Sequence, residues 1–201
     1  MATQPVDAEQ GGARSAILEA TTTLLQRESL DELSVAQILE EAGISRATFY
    51  FYFASKDDAF LALLGDVIDA VVPEFEAMMG DPERRRSPRL REEIAAWLEQ
   101  GGPRQAVMSN AIQEWPRRSD LQPVFLAGIE RMTTAVARAI DEDRAAGLAA
   151  DSVPSAQLAA GLVWVLERTW YASATGAEHL GDFAAVSDAL AATFVAAIYA
   201  R

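Results

Sequence analysis

The 201-residue chain has no cysteine, one histidine (His179) and one lysine (Lys56). Without cysteine there can be no disulfide and no thiolate metal site. A lone histidine leaves nothing from which to build a histidine metal cluster or a paired nucleophile. No nucleophile elbow and no glycine-rich phosphate loop occurs. Catalysis, cofactors and metals are therefore not expected. No run of 18 apolar residues is present, so no membrane-spanning helix is expected. The N-terminal stretch MATQPVDAEQGGARS lacks the basic start and apolar middle of a signal peptide. A cytoplasmic protein with no membrane partner is the expectation. Positive charge is scarce too: 17 basic residues stand against 30 acidic ones, a net charge of −13. The near-absence of lysine beside many arginines and alanines reads as codon usage in a GC-rich genome rather than as function.

What the chain does have is apolar periodicity. Half of its residues are hydrophobic, enough for a folded core in one domain or two small ones. The spacing is helical throughout and no strand signal survives, so the fold class is all-α with about nine helices. The most informative stretch is Ser34 to Lys56, SVAQILEEAGISRATFYFYFASK. Ser34 is a good N-cap, and Gln37 completes a capping box for a helix over Val35–Ala42. Gly43 ends that helix, because glycine takes the left-handed cap without steric cost. Ser45 caps a second helix from Arg46 to about Tyr52. Two short helices around a tight glycine turn make a helix-turn-helix.

At 100° per residue, Phe49 and Phe53 share one face of the second helix and should be core. The opposite face presents Ala47 and Phe51, flanked by Thr48 and Tyr50. A helix packed only for stability would not expose Phe51 and Tyr50. In a DNA major groove, Ala and Phe can meet thymine methyls, and hydroxyls can bond phosphates or bases. Arg46, at the leading end, is placed to reach a guanine edge or a phosphate. The competing reading, a β-strand with alternating Phe49, Phe51 and Phe53, conflicts with the caps and the glycine turn.

The segment resembles the DNA-binding domain of TetR-family transcriptional regulators. The resemblance is carried by Ala42-Gly43-Ile44-Ser45, Thr48-Phe49-Tyr50 and Phe53-Ala54-Ser55-Lys56-Asp57, and covers roughly residues 17–64. The Phe-Tyr-Phe-Tyr-Phe run, Leu166-Glu167-Arg168-Thr169 and Tyr171-Ala172-Ser173 further resemble the EthR-like branch. Tyr52 stands where many members carry histidine; both can donate to a phosphate. The resemblance implies a DNA interface of Arg14, Ser34, Ser45, Arg46, Ala47, Thr48, Tyr50, Phe51, Tyr52 and Lys56, binding a double-stranded operator. It also implies the division 1–12 disordered arm, 13–56 DNA-binding domain, 57–201 effector-binding and dimerisation domain. Residues 1–56 hold four basic residues (Arg14, Arg27, Arg46, Lys56) against eight acidic ones, a balance of −4. Few phosphate contacts and weak nonspecific binding follow.

Further along, a long apolar helix is expected from Ser55 to about Met79, with Pro73 kinking or weakening it. Residues 83–91 hold five arginines, read as a solvated loop in preference to a nucleic-acid patch. Helices then follow over about 89–100, 105–115, 120–146, 154–174 and 182–199. The acidic runs Glu92-Glu93 and Asp141-Glu142-Asp143 read as solvated helix faces. Aromatic and apolar residues gather in this part: Trp97, Met108, Ile112, Trp115, Phe125, Met132, Trp164, Trp170 and Tyr171. They read either as core or as the lining of a pocket, with Glu167, Asn110 and Gln113 as its polar groups. The resemblance favours the pocket, one for a small, elongated apolar effector. The last helix is apolar nearly all round, with many alanines, so it is buried on more than one side. It either meets a second copy of the chain or lies buried in a monomer. The resemblance implies a homodimer through helices near 155–175 and 182–199.

The reading that follows is a ligand-responsive repressor that binds a near-palindromic operator as a dimer. An activator on the same scaffold is indistinguishable at this level. The rival is an apolar-ligand sensor or carrier with weak or no DNA binding, which the acidic first segment motivates.

Overall fold

In a computed structural model of the chain, residues 6–100, 102–151 and 153–199 are described. Among these residues ten α-helices run in order: α1 Val6–Leu25, α2 Val35–Ala42, α3 Arg46–Tyr52, α4 Lys56–Gly80, α5 Pro82–Arg85, α6 Leu90–Leu98, α7 Pro103–Glu114, α8 Leu121–Ala145, α9 Ser155–Ala174 and α10 Phe183–Tyr199. One 3-10 turn, Glu178–Leu180, separates the last two. Among the described residues there is no strand, and no helix is long and apolar enough to cross a membrane. The chain divides into two compact units: residues 1–67 with 102–124, and residues 68–101 with 125–201.

In the first unit, α1 packs against α2, α3 and α7. Ile17, Leu30, Ile38, Phe49, Phe60 and Leu64 are wholly buried there. α1 begins at Val6, so part of the arm expected to be disordered is helical; residues 1–5 lie outside the described residues. α7 falls in the first compact unit, packed against α1. Asn110 ties it there. Its Oδ1 accepts from the Leu30 amide at 2.8 Å, and its Nδ2 donates to the Ala106 carbonyl at 3.0 Å. Both ends of the amide are engaged, so Asn110 holds the α1–α2 connector and is not a pocket group.

In the second unit, α10 packs on α6 and α9. Phe75 makes an edge contact with Phe194, with ring centroids 6.2 Å apart. α4 runs unbroken through Pro73 to Gly80. The arginine stretch is not a solvated loop. Asp81 caps α5, accepting from the Glu83 amide at 2.8 Å, and Pro82 starts the helix with a preset φ. Arg85 is 1% exposed and Asp143 is fully buried. Arg85 Nε and Nη2 donate to the two Asp143 oxygens at 3.2 and 3.1 Å, and Nη2 also donates to Glu142 at 2.7 Å. Arg86 Nε and the Tyr199 hydroxyl donate to the same Asp143 carboxylate at 2.8 and 2.7 Å. The network ties α5 and the ends of α8 and α10 together. Arg84 pairs with Glu93 at 2.8 Å, and Arg91 pairs with Asp188. Periodicity could not reveal this, because a charged run looks the same whether water or a buried carboxylate answers it.

Candidate nucleic-acid interface and effector module

The helix-turn-helix forms for the local reasons its residues supply. Ser34 Oγ accepts from the Gln37 amide at 3.3 Å, and Gln37 Oε1 accepts from the Ser34 amide at 2.8 Å. Gly43 sits at φ 64°, the left-handed conformation that stops α2. Ser45 accepts from the Thr48 amide at 3.1 Å, and the two hydroxyls share a hydrogen bond of 2.8 Å. α3 then points its residues two ways. Phe49 is fully buried and Phe53 nearly so, whereas Phe51 is 72% and Tyr50 48% exposed. Ser34, Ser45, Arg46 and Ala47 are exposed, and Thr48 and Tyr52 are half-buried. Phe51 and Tyr52 meet edge to face with centroids 4.9 Å apart. Seven consecutive helical residues thus show solvent two large aromatics, hydroxyls and one arginine. That surface suits the edges and methyls of a major groove.

Lys56 is placed differently from its expected DNA-facing role. Its Nζ donates to the carbonyls of Leu30 at 2.7 Å, Asp31 at 3.1 Å and Leu33 at 2.6 Å. An ammonium has three donors, and all three are used on the α1–α2 connector. The cation holds the start of α4 to that connector and has no donor left for a phosphate. Arg27 pairs with Glu41 at 3.3 Å. Arg14 lies 3.9 Å from Asp66, with its guanidinium over the Phe53 ring. Of the basic residues in 1–56, Arg46 alone forms no ion pair or internal hydrogen bond among the described residues.

The residues proposed to line an effector pocket fall in both units. Met108, Ile112 and Trp115 are on α7 in the first unit; Trp97, Phe125, Met132, Trp164, Glu167, Trp170 and Tyr171 belong to the second. In that second unit two indoles are tied into the framework. Trp97 Nε1 donates to the Val71 carbonyl at 3.2 Å, and its ring packs on Phe75 at 4.9 Å. Trp170 Nε1 donates to the Leu98 carbonyl at 2.9 Å. Phe125 and Met132 are buried, and Trp164 and Tyr171 half-buried. Glu167 is an exception to good pairing, as is the buried Ser173 hydroxyl. The Glu167 side chain is 6% exposed, and neither carboxylate oxygen has a hydrogen-bond partner. Burial pushes its carboxyl above the usual range, opposed by Arg168 at 3.6 Å.

Residues 17–63 match the bacterial regulatory proteins of the tetR family, and residues 90–200 match the C-terminal domain of the transcriptional regulator EthR. The HTH-type transcriptional regulator EthR of Mycobacterium tuberculosis is 30% identical over 185 residues, covering 92% of this chain and 86% of that protein. The chain belongs to the TetR family of bacterial transcriptional regulators. EthR of Mycolicibacterium smegmatis is also 30% identical, over 79% of this chain and 73% of its own length. Among solved structures, a putative transcriptional regulator from Saccharomonospora viridis in complex with choline has the same fold. It has a TM-score of 0.77 and 21% identity, covering 94% of this chain and 98% of that one. Escherichia coli NemR in its reduced form gives a TM-score of 0.68 at 18% identity, over 92% and 97% of the two chains.

For a TetR-family regulator the remaining question is what holds the reading head in place, and here sequence reasoning missed Arg118 and gave Asn110 another role. Arg118 donates to Asp31 in the connector at 2.7 Å, to Asp57 at the start of α4 at 2.7 Å, and to Glu114 at 3.0 Å. With Asn110 and Lys56 it makes a polar clamp around residues 29–33. No periodicity marks either position; the Arg117-Arg118 pair after Pro116 was the only hint.

Proposed function

We propose that the protein is a dimeric transcriptional repressor that binds a near-palindromic operator through α3 and leaves it when a small, largely apolar effector enters the second unit. The observation that supports the DNA reading best is the division of α3, with Phe49 and Phe53 buried and Phe51 and Tyr50 facing solvent. Arg46, Ser45, Thr48 and Tyr52 complete the contact surface, and Arg14 and Ser34 flank it. Two such helices on a two-fold axis reach successive major grooves about 34–36 Å apart, hence the palindrome.

The dimer reading rests on α9 and α10. α10 buries Val186, Leu190, Phe194 and Ile198 in its own unit and leaves Ala184, Ala185, Ala189, Ala196 and Ala197 exposed. On α9, Gly161 and Val165 are exposed, Val165 at 49%. An apolar surface of small side chains allows the close approach of a second copy. For release, the effector must favour the conformation that does not fit the operator. α4 is the element to carry that change. It is one continuous helix whose first residue, Lys56, grips the connector of the helix-turn-helix. A ligand complex with the recognition-helix separation of the DNA complex would refute this route.

A second reading, an effector sensor with weak DNA binding, is favoured by the −4 balance of residues 1–56 and by the internal use of Lys56. A footprint of the purified protein on the DNA flanking its own gene, with and without long apolar compounds, separates the two. A protected near-palindrome released by one compound class supports the repressor. No protection at low salt supports the sensor.

A further inference from the structure

Glu167 lies in the middle of α9, with Trp164 three residues before it and Tyr171 four after. Positions three and four apart are neighbours on a helix surface, so the carboxylate lies between two large aromatic side chains. Its side chain is 94% removed from solvent, and both oxygens are without a hydrogen-bond partner. The adjacent Arg168 answers it only in part, through a long ion pair. That side chain is 57% exposed, its Nε stays 3.6 Å away, and its guanidinium lies over the Tyr171 ring at 5.5 Å. The contrast within the same unit is sharp: buried Asp143 receives donors from Arg85, Arg86 and Tyr199.

A carboxylate taken out of water with no hydrogen bond and one long ion pair carries a largely uncompensated desolvation cost. A ligand that supplies a positive charge or N–H donors removes most of that cost on binding, so the site gains most affinity for such a group. Aromatic faces attract cations through the ring quadrupole, most strongly at Trp. Carboxylate and aromatic faces side by side therefore select an ammonium. We propose that the effector carries a protonated amine or quaternary ammonium group, seated against Glu167 and flanked by Trp164 and Tyr171, on an otherwise apolar body. The inference rests on the effector reading above and narrows it. A purely hydrocarbon effector leaves the carboxylate unanswered, and a fatty carboxylate places like charge against it.

The test uses the full-length protein and three probes of one chain length, kept below micelle-forming concentration: decyltrimethylammonium, 1-decanol and decanoate. Calorimetric titration should rank the ammonium at least about tenfold tighter than the alcohol, with decanoate weakest. In Glu167→Gln, which keeps the shape and removes the charge, the ammonium should lose that tenfold advantage while 1-decanol keeps its affinity. Equal binding of ammonium and alcohol by the unaltered protein overturns the inference and leaves the effector reading standing. A preference for the ammonium that persists in Glu167→Gln overturns the assignment to this residue. Binding of none of the three overturns both readings. The comparison of probes on the unaltered protein decides the question even if the variant folds poorly.

Discussion

Replacing Lys56 by methionine separates two roles that look alike in the sequence. Methionine keeps the apolar stem and removes the ammonium, so the carbonyls of Leu30, Asp31 and Leu33 lose their donor together. Hydrogen bonds from a charged group contribute about 1.5–3 kcal/mol each when buried. Lys56 is half-buried and water can answer part of the loss, so about 2–4 kcal/mol in all is the expected destabilisation. For a chain of this size that lowers Tm by about 4–16 °C. Operator binding should weaken because the connector loosens, but its salt dependence should not change. A phosphate contact would behave otherwise: each one adds about 0.9 to the slope of log K against log salt, so a dimer losing two would flatten by about 1.8. Thermal unfolding and operator titrations at several salt concentrations read both quantities. A slope flatter by about 1.8 with an unchanged Tm would refute the structural role and restore Lys56 to the DNA surface.

Phe51→Ala removes a side chain that is 72% exposed, so stability should move by no more than about 0.5 kcal/mol. Operator affinity should fall by about 1–3 kcal/mol, roughly 5- to 150-fold; unchanged affinity in a gel-shift titration would count against α3 as the reading helix. Asp143→Ala leaves Arg85 buried and unanswered, which should cost about 3–5 kcal/mol by denaturant unfolding. In the folded protein burial alone would raise the Asp143 carboxyl, but hydrogen bonds from Arg85, Tyr199 and Arg86 outweigh it and hold it below the ordinary aspartate range. Its contribution is therefore full above pH about 5 and is lost as pH falls through the lowered folded value. The Tm gap between the natural protein and Asp143→Asn should accordingly narrow below about pH 4; a constant gap down to pH 2 would be the wrong result. Val165→Glu puts a charge on the exposed face of α9 and should shift sedimentation toward the monomer while leaving helical content unchanged.

The two short helices of the reading head were legible because their causes are local. Ser34, Gln37, Gly43 and Ser45 specify starts and stops through hydrogen bonds to neighbours three residues away, and helical spacing alone assigns Phe49 and Phe51 to opposite faces. The same locality explains how closely the later helices agree with their expected bounds. Asp81-Pro82 was a local start signal too, and α5 was there to be read. What tertiary structure decided was the partner of each polar group. Lys56 followed a family pattern, yet its partners are carbonyls 23 to 26 residues away. Asn110 and Arg118 reach the connector from 80 and 87 residues away, contacts that no local pattern announces. Asp143 sits in an acidic run that any periodicity count assigns to solvent, and Arg85, 58 residues distant, is what makes its burial affordable. Apolar burial depends on a side chain's own chemistry and spacing, so the sequence carries it. The burial of a charge depends on which opposite charge the fold brings within 3 Å, and that exists only once the chain has folded.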